Sequence, residues 1–166
     1  MTIREIPSYP AACLREPVRP VEKFDEELAR LLNDMAETMY AAPGIGLAAP
    51  QIGVSLSVFV IDVNSGSDEP SDFRVFVNPQ LSERSGEARN PEGCLSLPGV
   101  RDTVVRAERV RVRALNERGE PFELETGGVL AHALQHEDDH IRGVLFIDHL
   151  SALRRRVALR ALKRTE

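Results

Sequence analysis

Residues 136–140 read His136-Glu137-Asp138-Asp139-His140, and no other stretch constrains this chain as tightly. Histidines four apart share a face on a helix, where positions i and i+4 lie one turn apart. There both imidazoles reach one metal ion, with Glu137 beside them to exchange a proton with a water. The stretch predicts a buried helix that carries a metal, and hydrolysis by a water that the metal has made acidic. It supplies only two ligands, so the third decides which hydrolase this is.

Around that helix the chain has 166 residues, enough for one domain with a core, and we read residues 1–166 as a single catalytic domain. It is 42% hydrophobic and lacks Trp, so the core is aliphatic. No apolar run is long enough to span a bilayer, and residues 1–10 do not have the pattern of a secretory leader. Two cysteines, Cys13 and Cys94, are too few for a disulfide scaffold and point to a reducing, cytoplasmic setting. Residues 151–166 hold five Arg and one Lys against one Glu, a charge of +5 in a chain whose net charge is −5. Such a tail suits a polyanion, and it equally suits a solvated helix face.

The remaining segments read as an α+β domain. Asp25 is an N-cap ahead of Glu26 and Glu27, and Leu28, Leu31, Leu32, Met35 and Met39 recur at helical spacing as far as Tyr40. Leu56 to Val63 is a buried strand and Asn64 to Asp72 a loop. Further strands are expected at Arg74 to Asn78, Val104-Val105 and Val110 to Leu115, the last turning at Asn116 to Glu120 into Phe122 to Leu124. The metal helix is expected to start near Thr126 and to end at Gly143 in a left-handed turn. A last helix, about residues 152–163, places Leu153, Val157 and Ala161 on one side. The expected architecture is mixed or antiparallel sheet around a central helix, with a helix near each end of the chain.

For the third ligand, one protease class extends the motif to a histidine at the position of Phe146, which cannot bind a metal. Another uses a downstream Glu, but only Glu166 follows, and His149 reads as a surface residue. Upstream, Cys94 lies in Pro91-Glu92-Gly93-Cys94-Leu95-Ser96-Leu97-Pro98-Gly99, which reads as a shaped loop. Two imidazoles and a thiolate leave a fourth position open, as catalytic sites require.

Three segments together, Gly44-Ile45-Gly46-Leu47-Ala48-Ala49-Pro50-Gln51, Glu92-Gly93-Cys94-Leu95-Ser96 and Gln135-His136-Glu137-Asp138-Asp139-His140, resemble the motifs of the peptide deformylases in kind and order. Phe76-Val77-Asn78-Pro79 and the first helix also fit, so the resemblance covers nearly the whole chain. It implies removal of the N-formyl group from the starting methionine of new polypeptides, with release of formate. It also implies Cys94, His136 and His140 as metal ligands, Glu137 as the proton carrier, and the Gln51 amide with the Leu95 N–H as oxyanion donors. A turn residue bonding its own loop is the other reading of Gln51.

The peptide is expected as an added strand along Ile45 and Gly46, near Gly93. Its methionine is expected in a pocket lined by Ile45, Val129 and Ala133, with His132 at the rim. Asp139 is expected to pair with Arg101 or Arg106. The donor set alone suits zinc; the resemblance favours Fe2+, with Zn2+, Ni2+ or Co2+ fitting the same ligands. It also raises the ribosome as a partner for the basic last helix, while no sequence-specific nucleic-acid contact or membrane is expected. The alternatives are a metallopeptidase cleaving internal peptide bonds, which leaves Cys94 unexplained, and a catalytically silent metal-binding protein on the ribosome, which leaves Glu137 and Gln51 unexplained.

Overall fold

Asp25 starts the first helix: its carboxylate accepts the Leu28 N–H, and Glu26 and Glu27 occupy the first turn, where negative charge offsets the helix dipole. This helix, α1 (Glu26–Ala41), buries Leu28, Leu31, Leu32, Met35 and Met39, as their spacing predicts. The computed structural model describes residues 2–165, with side chains described through residue 162. After α1 come β1 (Gly46–Ala48), β2 (Val58–Asp62), β3 (Phe73–Ser85), β4 (Ala88–Cys94), β5 (Leu97–Arg106), β6 (Arg109–Leu115), β7 (Pro121–Gly127), α2 (Gly128–Ile141) and α3 (Ala152–Thr165).

The large sheet has the order β1-β2-β3-β6-β7, and β4 pairs with β5 in a second sheet. Every pairing of these strands is antiparallel. β2 is buried along its whole length, which its run of β-branched and aromatic residues anticipates. α1 packs with Leu47, Val58 and Val60, while α2 packs Ala131, Ala133, Leu134 and Ile141 with Phe59, Ile61, Phe76, Val110 and Val112. A third cluster joins Leu97, Val100 and Val104 of β5 to Phe146, Ile147, Ala158 and Leu162. The chain is α+β, and its central helix α2 carries His136 and His140.

Several boundaries differ from expectation. β3 continues past Asn78-Pro79 to Ser85. Asn78 adopts φ 50° at a register shift between Val77 and Gln80, and a bulge is where a strand tolerates a proline. The Asn78 amide also clamps the Val21 main chain, accepting from N–H at 2.8 Å and donating to C=O at 3.0 Å. Cys94 is not in a loop but ends β4, opposite Leu97. Pro91 fits inside β4 because each strand of a two-stranded sheet has a free edge.

Thr126 belongs to β7 rather than capping α2, whose N-cap is Gly127 with no side-chain bond. Gly143 ends α2 as expected: at φ 74° it lets its N–H reach the His140 carbonyl and that of Val144 reach the Asp139 carbonyl. On α3 the packing residues are Ala158 and Leu162, while Leu153 and Val157 face outward. Apolar spacing alone could not choose between the two stripes, and contact with β5 and the 146–149 turn selects the second.

Candidate metal centre and substrate cleft

α2 presents the two imidazoles and the end of β4 presents the thiol. Cys94 Sγ lies 3.3 Å from His140 Nε2, which lies 3.2 Å from His136 Nε2. The three ligand atoms fall within 4.8 Å of one another. Burial and the neighbouring His136 hold the His140 pKa well below 6.5, which keeps its ring neutral with a lone pair to give. Two imidazoles and a thiol that converge in this way fit one divalent cation.

Behind the imidazoles lies a buried charged network. Glu92 Oε1 accepts from His136 Nδ1, which turns Nε2 toward the ligand cluster. Glu92 Oε2 lies 2.7 Å from His132 Nε2, and Arg106 Nη2 lies 2.6 Å from Oε1. Burial would raise the Glu92 pKa, but the hydrogen bonds from His132, His136 and Arg106 hold it well below the usual carboxylate range. Arg106 reaches on through Nη1 to Asp139 at 2.6 Å, and His149 lies 2.8 Å from the same carboxylate oxygen. Asp139 therefore pairs with Arg106, not Arg101, and His149 is tied into the network rather than being a bare surface residue. His132 stands at the cleft wall with its ring held by Glu92. The sequence offers Arg106 as a partner for Asp139, but not the role of Glu92, because only the crossing of β4, β5 and α2 brings Glu92 to His132, His136 and Arg106.

Glu137 is buried, and burial pushes its pKa up to about 7. Its Oε2 has no hydrogen-bond partner. Its Oε1 fills the space beside Gly46, where a Cβ would stand 2.5 Å away. Likewise a Cβ on Gly44 would stand 2.8 Å from Leu95 Cδ1. The space that side chains at these two glycines would take is filled by Glu137 and Leu95.

Gln51 is fully buried and does two things. Its Oε1 accepts the Ala48 N–H at 3.0 Å, bonding its own loop. That bond aims Nε2 across the site, 3.6 Å from Cys94 Sγ and 3.2 Å from Ser96 Oγ. Leu95, in the turn between β4 and β5, follows Cys94 directly.

A cavity of about 850 Å³ opens over this cluster. Ile45, Gly46, Gly93, His132 and Ala133 line it together with Cys94, His136 and Glu137. Val129 does not: it is 61% exposed at the start of α2, one turn beyond the cleft. Phe146, at the position where a protease class keeps a third histidine, is buried with its ring 6.5 Å from that of His136.

A three-donor metal cluster with a buried acid at the end of a cleft defines a metallohydrolase. The profile described as "Polypeptide deformylase" matches residues 3–156, and the chain belongs to that family. A peptide deformylase of Acidobacterium capsulatum is 49% identical over 166 residues, which is 100% of this chain and 97% of that one. One from Neisseria meningitidis is 49% identical over 154 residues, covering 93% and 90%. The crystal structure of a peptide deformylase from Legionella pneumophila superposes with TM-score 0.93 at 52% identity, covering 99% of this chain and 95% of that one. That from Synechococcus elongatus, in complex with actinonin, gives TM-score 0.89 at 39% identity, covering 95% and 86%.

Proposed function

We propose that this protein is a peptide deformylase, which removes the N-formyl group from the N-terminal formylmethionine of nascent polypeptides and releases formate. The observation that carries the reading is the Gln51 amide, aimed by the Ala48 N–H at the cluster of Cys94, His136 and His140. The downstream position that a peptidase of another class would need for its third ligand is a buried phenylalanine. By this reading the whole chain works as one catalytic domain.

Cys94, His136 and His140 would hold the ion. When bound, a divalent metal supplies Lewis acidity, making water a stronger acid and drawing charge from the formyl oxygen. Glu137 takes the proton of the attacking water on Oε2, its unpartnered oxygen, and passes it to the leaving amine nitrogen. Burial pushes the Glu137 carboxyl up, which suits a group that must both take and give a proton. Gln51 Nε2 and the Leu95 N–H steady the charge that develops on the formyl oxygen. Glu92 keeps His136 in the tautomer that offers Nε2. The edge at Ile45 and Gly46 takes the peptide as a strand, and the methionine side chain lies against Ile45, Gly93, His132 and Ala133.

We assign Fe2+ as the resident ion in a cytoplasmic enzyme on the family resemblance, with Zn2+, Ni2+ or Co2+ fitting the same His₂Cys donors. Formate release from a formyl-methionyl dipeptide, by protein prepared without oxygen and analysed for metal, tests the reaction and the ion together. Absence of turnover with iron, nickel or cobalt bound would overturn the reading.

We also propose α3 as a contact for ribosomal RNA phosphates. Arg154 and Arg155 are paired with Asp102 and Asp148, whereas Arg156 and Arg160 form no ion pair with another described residue. The side chains of Lys163 and Arg164 lie outside the described residues. Unchanged salt-sensitive ribosome binding after deletion of residues 151–166 would remove this proposal.

A further inference from the structure

The cavity over the metal cluster extends well past any space a methionine side chain needs. At about 850 Å³ it suits a ligand of several residues. Its lining includes Ile3, Arg4 and Ile6 as well as Thr38 and Pro43. Part of the cleft wall is therefore the amino-terminal arm, which none of the three motifs includes.

The arm is held in place by α1. The Thr2 N–H donates to Asp34 Oδ1 at 2.9 Å, and the Arg4 N–H donates to Thr38 Oγ1 at 2.8 Å. The Arg4 guanidinium donates to Asp34 Oδ2 through Nε at 3.0 Å and Nη2 at 2.8 Å. Between these anchors Ile3 is 62% exposed and lines the cleft. Ile3 and Ile6 together give the arm apolar surface on the cleft wall. Because Asp34 balances the Arg4 charge, what the arm offers is apolar surface from Ile3 and Ile6.

The direction of the bound chain follows from Glu137. Its carboxylate lies against Gly46, so the reacting end of a peptide strand lies there too. A strand that continues along Ile45 then passes Gly44 and Pro43 toward the end of α1. Each residue advances about 3.3 Å, so the third residue lies roughly 7–10 Å from the formylated nitrogen. That distance takes it from Gly46 to the neighbourhood of Pro43, at the end of the helix whose Thr38 holds the arm.

Resting on the deformylase reading, we propose that residues 2–6 form a subsite for the third and following residues of the formylated peptide. Ile3 and Ile6 provide its apolar contact, and Asp34 is the anchor that positions it.

The test compares the C-terminally amidated peptides formyl-Met-Ala and formyl-Met-Ala-Leu on iron-loaded protein. Wild type is expected to favour the longer peptide in kcat/KM by about tenfold, the gain from partly burying one leucine. Ile3→Asp and, separately, Asp34→Ala are expected to remove most of that preference, through KM rather than kcat. A purely structural effect on the metal site would change both peptides alike and leave the ratio intact. Ile3 is exposed, so Ile3→Asp keeps its fold, and a melting curve checks this. Formate release from both peptides with an unchanged ratio in Ile3→Asp would overturn the subsite alone. No release from either peptide by wild type would overturn the deformylase reading beneath it.

Discussion

The Glu137 carboxylate occupies the volume that a side chain at Gly46 would need, with Oε1 only 2.5 Å from where a Cβ would stand. β1 and α2 thus approach each other through the Glu137 side chain, and the approach is permitted by a missing methyl group. Glycine is required at this position for space.

Gly46→Ala should therefore be a catalytic lesion. The new methyl must push the carboxylate aside, and a displacement of about 1 Å can cost roughly 100-fold in turnover. Metal content should stay at wild-type level because no ligand moves. Single-turnover formate release beside metal analysis checks this, and wild-type kcat in a folded variant would refute it.

Glu137→Gln should hold the ion and lose turnover by roughly 10²–10⁴-fold, the range for a positioned proton carrier. The amide is isosteric, so the same volume beside Gly46 stays filled. Cys94→Ser is its counterpart: it keeps Glu137 and should fail in metal retention, read by competition with a chelator.

Arg106 stands between the buried carboxylate of Glu92 and the half-buried one of Asp139. Removing it leaves both without their counter-charge, which typically costs about 3–5 kcal/mol. Arg106→Ala should show this in a urea melt. Glu92→Gln is milder for the fold but loosens the tautomer of His136, so metal affinity should fall by roughly 10–100-fold. Equal affinity in Glu92→Gln would show that the His136 contact is passive.

Asp62 gives a pH dependence remote from the cleft. Its carboxylate accepts from the Tyr40 and Ser71 hydroxyls and from the Asn64 and Asp72 N–H groups, which closes the loop between β2 and β3. Burial raises its pKa, and these four bonds outweigh that and hold it below 3.8. A carboxylate depressed in the folded state stabilises fully above its unfolded pKa and loses that contribution as pH falls through the folded value. Wild type should lose stability on acidification below about pH 4, and Asp62→Asn should be less stable at pH 7 with a flatter acid limb. Denaturant midpoints at pH 3 to 7 measure it.

Local signals in the chain were strong where one element decided the outcome. The cap at Asp25, the β-branched run from Val58 and the left-handed stop at Gly143 each depend on residues within a few positions. The ends of β3 and β4 did not read correctly, because Pro79 and Pro91 look like breakers until a bulge or a free sheet edge accommodates them. Val129 has the apolar character of a pocket residue, yet the cleft stops one turn short of it. On α3 two apolar stripes compete, and contact with β5 chooses Ala158 and Leu162.

By itself the order of residues pointed to a metal-binding helix, His136, Glu137 and His140 at helical spacing, with Cys94 as the upstream candidate for a third ligand; the part expected of Gln51 came from the resemblance of three motifs. Side-chain type and short-range periodicity carry that information along the chain. Only the tertiary structure decided what holds those groups in place. Glu92 reaches His136 across 44 residues, Arg106 joins Glu92 to Asp139, and Gly46 makes room for Glu137. Ion pairs and close contacts of this kind form between elements distant in sequence, and no periodicity marks them before the sheets and α2 have packed.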